Sequence, residues 1–492
     1  MKILLVYPKY PETFWSFKHA LKFIFKEATN PPLGLLTVAA LLPSNWEKRL
    51  IDMNVTALTD DDLRWADYLF LSAMVIQKES AQKVLERCKN LKVKTVVGGP
   101  LVTAEPDAFA EADYLVLNEA EITLPLWLAG LREGNPRRLY TSDEWADLTK
   151  TPVPLWDLAD FRKYVSLCIQ YSRGCPFECD FCDITSLYGR VPRTKSKSQV
   201  LGELESIYQR GWRGNIFIVD DNFIGNKKKL KEELLPALGD WMKLHRFPFS
   251  FYTQTSINLA DDEELMRLMV NAGFDTVFIG IETPHEESLA ECHKHQNEQR
   301  DLVASVKKIQ RFGLQVQGGF IIGFDHDPAT IFEKQIEFIQ KSGIVTAMVG
   351  LLMAVKGTKL YQRLSKEQRL LKDGSGNNTD LSLNFIPKMP YDTLVNGYKK
   401  VVATIYAPEN YYQRIRELLQ EYRPFPKKAI RLSLCDIEAF LKSLLIIGVL
   451  GKERLQFWKL LGWSLVKKPR LFPLAVTYAI YGFHFRKVFE GY

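Results

Sequence analysis

Gly174-Cys175-Pro176-Phe177-Glu178-Cys179-Asp180-Phe181-Cys182 places three thiols at C-x3-C-x2-C spacing in one short loop. Iron–sulfur clusters are held by Cys thiolates, four for a [4Fe–4S] cube. Three thiolates from one loop leave one iron open to another ligand. Zinc is the competing reading, and it takes four protein ligands or a catalytic three. No histidine lies between His19 and His245, so a local fourth zinc ligand could come only from Asp180, Asp183 or a distant thiol. The spacing favours the cluster. The chain has seven cysteines, and Cys88, Cys168, Cys292 and Cys435 fall outside the loop. An odd count with no secretory leader predicts a reducing cytoplasm, not a disulfide framework.

An apolar run at 165–171 leads into the loop, and apolar strands follow it at 215–219, 251–257, 276–282, 315–324 and 347–353. Helical spacing separates them, which predicts parallel β/α units. Asp220-Asp221-Asn222 closes the first of these strands; a polar turn capping a helix would read the same way. Glu282 ends another, where a bare carboxylate is costly unless it serves a ligand.

The part before residue 145 repeats the pattern. Strands are expected at 3–7, 49–52, 68–73, 95–99 and 114–117, and helices at 33–42, 78–88 and 125–131. Such sheets bind ligands beyond the carboxyl ends of their strands. The segments there are 8–10, Met74 to Gln77, Gly98-Gly99-Pro100 and 118–121 with Glu119. Gly98-Gly99 would let backbone approach a bulky ligand, or simply turn the chain. There is no G-x-G-x-x-G and no phosphate-binding Walker loop. Thr151-Pro152-Val153-Pro154 reads as a stiff linker. The expected organisation is an α/β sheet domain at 1–145, a linker at 146–165, a partial α/β barrel at 166–385 and a mainly helical part at 386–492.

The cysteine loop, with aromatic Phe181 before its third cysteine, resembles the radical S-adenosylmethionine superfamily. The resemblance implies that Cys175, Cys179 and Cys182 hold a [4Fe–4S] cluster whose open iron chelates S-adenosylmethionine. It further implies that Phe181, Asp220, Asp221, Asn222, Gln254, Glu282 and Ile321, the last in Gly318-Gly319-Phe320-Ile321-Ile322-Gly323-Phe324, surround that molecule. A flavodoxin-like domain ahead of such a barrel resembles the cobalamin-binding subclass. Asn30-Pro31-Pro32-Leu33-Gly34-Leu35 and Val355-Lys356-Gly357-Thr358 fit it too. Met74, Gln77, Gly98, Gly99, Pro100 and Glu119 then become the cobalamin contacts. The D-x-H-x-x-G loop whose histidine ligates cobalt in some cobalamin proteins is absent, since His19 stands in Lys18-His19-Ala20. The segment from Leu187 to Lys195 is similar to a branch that includes the hopanoid C-2 methylase. Its position suggests that Arg190, Arg193 or Lys195 faces cofactor carboxylates or propionamides.

This resemblance implies an enzyme that methylates an unactivated carbon. A deoxyadenosyl radical from S-adenosylmethionine removes hydrogen, and methylcobalamin supplies the methyl group. The expected partners are a small-molecule or lipid substrate, such as a hopanoid, and an electron donor such as flavodoxin or ferredoxin. Tetrapyrrole oxidation or another cobalamin-dependent rearrangement is the alternative within the subclass. tRNA methylthiolation would require three more cysteines in the first domain, where only Cys88 stands. A cobalamin or redox sensor without turnover is the alternative of another class; an open iron argues against it.

Composition sets the outer limits: 492 residues, 46% apolar and 25% charged, with net charge +7. These values suit a multidomain globular protein. The best charge-free apolar runs, 31–43 and 471–485, are too short to span a bilayer and contain proline. The basic excess belongs to residues 425–492, with twelve Lys or Arg against four Asp or Glu. A nucleic-acid binder would spread its positive surface more widely, so no nucleic-acid partner is expected. Helical spacing at 436–451 and the basic knot Lys467-Lys468-Pro469-Arg470 beside Trp463 and Leu471–Leu474 suggest a peripheral membrane contact. A plain helical cap on the barrel is the alternative. The expected location is cytoplasmic, with peripheral contact to the inner membrane.

Overall fold

The computed structural model describes residues 1–371, 374–377, 379–424 and 434–490. Positions 425–433, part of the basic stretch, lie outside the described residues.

The first sheet has six strands: β1 (Lys2–Tyr7), β2 (Glu47–Asp52), β3 (Tyr68–Ser72), β4 (Lys94–Gly98), β5 (Tyr114–Val116) and β6 (Leu139–Tyr140). They run parallel in the order β2-β1-β3-β4-β5-β6. The first five follow the flavodoxin-like doubly wound order. Ile3, Leu4, Leu5 and Val6 are all fully buried. A parallel strand covered on both faces needs such a continuous apolar run, not alternation. β6 escaped the sequence reading: two residues after a Gly-Asn-Pro turn carry no periodicity.

The second sheet comprises β7 (Ser166–Ile169), β10 (Asn215–Ile218), β11 (Ser250–Thr255), β12 (Phe274–Glu282), β13 (Gln315–Ile322) and β14 (Ala347–Leu351), parallel and adjacent in chain order. This is the expected partial barrel. Between β7 and β10 a short antiparallel ribbon, β8 (Ser172–Arg173) with β9 (Arg193–Thr194), closes the base of the cysteine loop. The proline segment is packed, not free: Trp156 is buried, and Leu155 N donates to Leu36 O at 3.0 Å.

Helices follow at Tyr391–Tyr406, Pro408–Glu421, Leu434–Ile446, Arg454–Lys467 and Phe472–Val488. They share one apolar core with the barrel, whereas the two faces of the first sheet have cores of their own. The final helix is an interior element. Its Phe485 stacks on Phe14, ring centroids 4.2 Å apart, and Tyr478 Oη donates to Gln315 Oε1 at 2.8 Å. The run after Lys467–Arg470 was expected to face lipid. It lies inside because its aromatic rings fill the gap between barrel and N-terminal loop. Phe485→Ala should therefore cost about 3–5 kcal/mol in urea unfolding, against less than about 1 kcal/mol for Leu441→Ala on the exposed neighbouring helix.

Candidate functional site

The cysteine loop starts from a constrained backbone. Gly174 has φ of +94°, and a Cβ there would meet the carbonyl oxygens of Gly189, Tyr188 and Val191 at 2.9–3.1 Å. Cys175 N donates to Gly189 O, Asp180 N to Cys292 O and Leu360 N to Asp180 O. Three separate segments thus hold the loop. The last lies beside Val355-Lys356-Gly357-Thr358, where Thr358 caps the helix Lys359–Lys366 and Gly357 O accepts from Ser186 Oγ.

All three loop thiols are partly buried. Burial raises the Cys175 thiol and pushes Cys182 up to about 12. Their ionisation therefore needs nearby donors, cations or a metal. Asn222 Nδ2 points at Cys175 Sγ (4.0 Å) and Gln296 Nε2 at Cys179 Sγ (3.9 Å). Lys294 supplies a buried cation. Burial alone would lower its ammonium, but Glu282, at 2.7 Å, and the Cys179 sulfur hold it above its ordinary range. Among the described residues, no three His, Cys, Asp or Glu side chains close on a single ion-sized point.

Asn222 Oδ1 and Gln296 Oε1, on the two amides that face the thiols, are buried and lack a hydrogen-bond partner, as do Asn297 Oδ1 and Thr255 Oγ1, the latter one residue before the Ser256 that accepts from Asn222 Nδ2. Buried polar atoms without partners are costly, and several beside one loop mark a place for a polar ligand. Thiols, amide donors, one cation and unpartnered acceptors fit a cluster with an amino-acid-bearing ligand on it.

The acids of the first motif divide. Asp220 is fully buried and accepts from Tyr171 N, Ser172 N and Ser172 Oγ at 2.6–2.8 Å. Burial raises it to about 6 against those bonds. It ties the end of β10 to the start of β8 and leaves little to offer S-adenosylmethionine. Asp221 accepts only a 3.3 Å bond from Gly174 N, and burial raises it to about 7. Asn222 faces the cluster loop directly. Gln254 lies half-buried in β11. Ile321 lies in β13, and its carbonyl accepts from Gln335 Nε2 at 3.2 Å. Phe181 packs near Phe324 and below Lys294. Glu282 has φ of +65° beside a register break in β12, a strained conformation of the kind found at binding sites.

The segment from Cys292 to Asn297 was missed by the sequence reading. Its Lys294 and Gln296 flank the loop, and Asn297 Nδ2 donates to the carbonyls of Gly280 and Ile281 at the strained strand end. The segment lies in a long polar run from 283 to 301, so nothing local singled it out.

The expected cobalamin contacts also divide. Glu119 forms ion pairs with Arg173 and Arg193 at 2.7 and 2.9 Å and accepts from Ala146 N. Gln77 is fully buried, donating to Pro8 O and accepting from Met74 N. Both side chains are engaged within the protein, so neither offers cobalamin a side-chain contact. Gly99 has φ of +90°, and a Cβ there would collide with Ser72 Oγ; at Gly98 it would meet Val116 O at 2.5 Å. The fold itself demands these glycines, so they carry no evidence of corrin approach. Met74 is half exposed, and Pro100 opens the helix Pro100–Ala104.

The basic segment is likewise engaged within the protein. Arg190 pairs with Glu178, Arg193 with Glu119 and Lys195 with buried Glu203, so protein carboxylates occupy all three. His19 pairs with Glu12 at 2.6 Å.

Together the two sheets and the cysteine loop define a cobalamin-binding radical S-adenosylmethionine enzyme. The Radical SAM superfamily model matches residues 169–344, the B12 binding domain model 27–127, and a domain of unknown function, DUF4070, 358–492. The chain is 41% identical to an uncharacterized methyltransferase of Synechocystis sp., covering 99% of this chain and 91% of that one. It is 36% identical to the Hopanoid C-2 methylase of Rhodopseudomonas palustris, over 93% and 88% of the two chains. The solved cobalamin-dependent S-adenosylmethionine radical enzyme OxsB shares the fold, with TM-score 0.64 at 15% identity over 99% of this chain and 83% of that one. This chain belongs to the cobalamin-dependent radical S-adenosylmethionine methyltransferase family. Its cofactors are a [4Fe–4S] cluster, S-adenosylmethionine and cobalamin.

Alanine at Cys175, Cys179 or Cys182 should remove the brown cluster absorbance after anaerobic reconstitution. Serine at Cys88, Cys168, Cys292 or Cys435 should leave about four irons per chain. Iron content and absorbance spectra decide it.

Asp221 gives a pH signature in the apoprotein. Its folded pKa, about 7, lies above the ordinary 3.8, so its stabilising contribution is full below about pH 4 and fades as pH rises through 7. Within that window it steepens the loss of stability by up to about 1.4 kcal/mol per pH unit. Asp221→Asn should flatten urea-unfolding stability between pH 5 and 7 by about that slope.

Proposed function

We propose that this enzyme methylates an unactivated carbon of a polycyclic lipid of the hopanoid class. The observation that carries the reading is the extent of the match to the hopanoid C-2 methylase, which runs over 93% of this chain rather than through the cluster domain alone. Bound at this site, the cluster would supply an electron to S-adenosylmethionine and cobalamin the methyl group.

The chain's own residues position and shield. Cys175, Cys179 and Cys182 would hold the cluster, with Asn222 and Gln296 directing N–H groups at its sulfurs. Lys294 would offset the negative charge of thiolates and carboxylate. Asp221, the Asn222 Oδ1 and Thr255 would accept from an ammonium group, with Gln254 and Glu282 at neighbouring strand ends. Phe181 and Phe324 would keep water from the reacting centre. Met74 and the backbone of Gly98 to Pro100 would contact cobalamin. In this reading residues 1–145 carry cobalamin, 166–385 the cluster and S-adenosylmethionine, and 386–492 the contact with a lipid phase. A one-electron donor of the flavodoxin or ferredoxin type would serve the cluster. The protein would work against the cytoplasmic face of a membrane.

The test is anaerobic turnover of reconstituted protein with dithionite, labelled S-adenosylmethionine and a hopanoid dispersed in detergent. Label in the hopanoid, with 5′-deoxyadenosine and S-adenosylhomocysteine formed together, is the expected result. 5′-Deoxyadenosine without S-adenosylhomocysteine would replace methyl transfer by another radical reaction. Both products without labelled hopanoid would overturn the substrate.

A further inference from the structure

The helices Leu434–Ile446 and Arg454–Lys467, joined by a short turn into a hairpin that Trp458 Nε1 closes on Gly448 O, both pack on Phe472–Val488, and their inward faces are filled. Ala439, Ser443 and Ile447 are buried on the first side, and Phe457, Leu460, Leu461 and Ser464 on the second. The outward faces are also apolar. Leu434, Ile437, Leu441 and Leu445 follow one another at steps of three or four, a single helical stripe, with Val449 in the turn beyond, and all are exposed, Leu434 by 85%. Leu450 stands at the turn. Leu455 (71% exposed), Trp458, Leu465 and Val466 (76%) continue the surface on the second helix. Nearly half of the exposed large hydrophobic side chains among the described residues lie between 434 and 466. Scattered ones need no explanation, but a gathered patch marks an interaction surface.

Phe25 adds an independent feature. It is 70% exposed and held at φ of +49°, with Lys442 Nζ 3.1 Å from its ring centroid. A bulky residue in the left-handed region is strained, and solvent returns nothing for that strain.

Charge identifies the occupant. Between 434 and 470 seven Lys or Arg stand against three Asp or Glu. The three acids all have partners: Glu438 pairs with Lys442, Glu453 with Arg486, and Asp436 is engaged as well. Lys452, Arg454, Lys459, Lys467 and Arg470 are exposed and form no ion pair among the described residues. Self-association through this face would bring two positive surfaces together. An anionic lipid surface accepts both the apolar stripe and its cations. Among the described residues no helix is long and apolar enough to cross a membrane, so contact through this hairpin would lie along a bilayer.

We propose that this hairpin, with Phe25 at its edge, is the surface that docks the protein on an anionic phospholipid bilayer. The apolar side chains enter the acyl boundary, and Lys452, Arg454, Lys459, Lys467 and Arg470 meet the phosphates. This deepens the membrane contact of the proposed function by naming its surface. It does not depend on methyl transfer, so the two can fail separately.

The test is co-sedimentation of reconstituted full-length protein with vesicles of phosphatidylcholine alone or mixed equally with phosphatidylglycerol. The wild type should pellet with the mixed vesicles and be partly released by salt. Leu441→Asp/Leu455→Asp/Leu465→Asp should weaken partitioning at least about tenfold, because three exposed leucines lose their apolar burial. Lys459→Gln/Lys467→Gln/Arg470→Gln should weaken it severalfold and remove much of the salt dependence. Unchanged iron content and unfolding midpoints in both variants show that the loss is local. The proposal is overturned if the wild type ignores both vesicle types at low salt, or if the aspartate variant pellets as well as the wild type. A concentration-dependent dimer that the aspartate variant abolishes, with no vesicle binding, would assign the face to a second copy of the chain.

Discussion

Arg173 carries a nearly buried guanidinium between two carboxylates that belong to the other sheet. Glu119 and Glu121, just past β5, each approach it to 2.7 Å, and Arg193 adds a second cation to Glu119. Burial would lower the basicity of Arg173, but Glu121 and Glu119 together hold it above the ordinary range. Charges out of water persist only when paired and hydrogen-bonded, so separating the two sheets would leave four of them unmatched. The next residues along the chain are Gly174 and Cys175. The clamp that joins the carboxyl ends of the two sheets is therefore also the anchor of the cysteine loop. The meeting of a cobalamin-type sheet with a cluster loop rests on this contact.

Beyond the clamp, the site gathers both donors and free acceptors. Lys294 supplies a cation, and the amides of Asn222 and Gln296 aim their N–H groups at sulfur while their own oxygens, with those of Thr255 and Asn297, stay unpartnered. The cost of burying these groups is borne by the fold, which holds them through the strained end of β12 and the bonds of Asn297. Groups fixed in advance need no reorganisation when charge arrives, and this is the chief electrostatic contribution a protein makes to a cofactor-driven reaction.

The C-terminal helices follow the same logic of burial with opposite results. Phe472–Val488 fills the seam between the barrel and the N-terminal loop through Phe485, His484 and Tyr478. The preceding hairpin uses only its inward faces for that core. Both segments are rich in apolar and aromatic residues beside cations, and composition alone does not separate them. The side facing the barrel does.

Local pattern was enough for the two parallel sheets and the three cysteines. Alternating apolar strands and helices predict β/α units wherever strands are covered on both faces, and cysteine spacing is a property of nearest neighbours in the chain. The family resemblance added the cofactors in the same way, from short contiguous motifs. Tertiary structure alone decided which candidate residues are available. Glu119 and Gln77 read as ligand contacts in the sequence, yet both are engaged by partners from other segments of the chain. Arg193 and Lys195 are neutralised by carboxylates 74 and 8 positions away. Lys294 and Gln296 reach the loop from more than a hundred residues downstream. Local periodicity constrains only what the backbone nearby must do. The satisfaction of buried charge and polar groups is settled between segments distant in sequence, after the chain has folded.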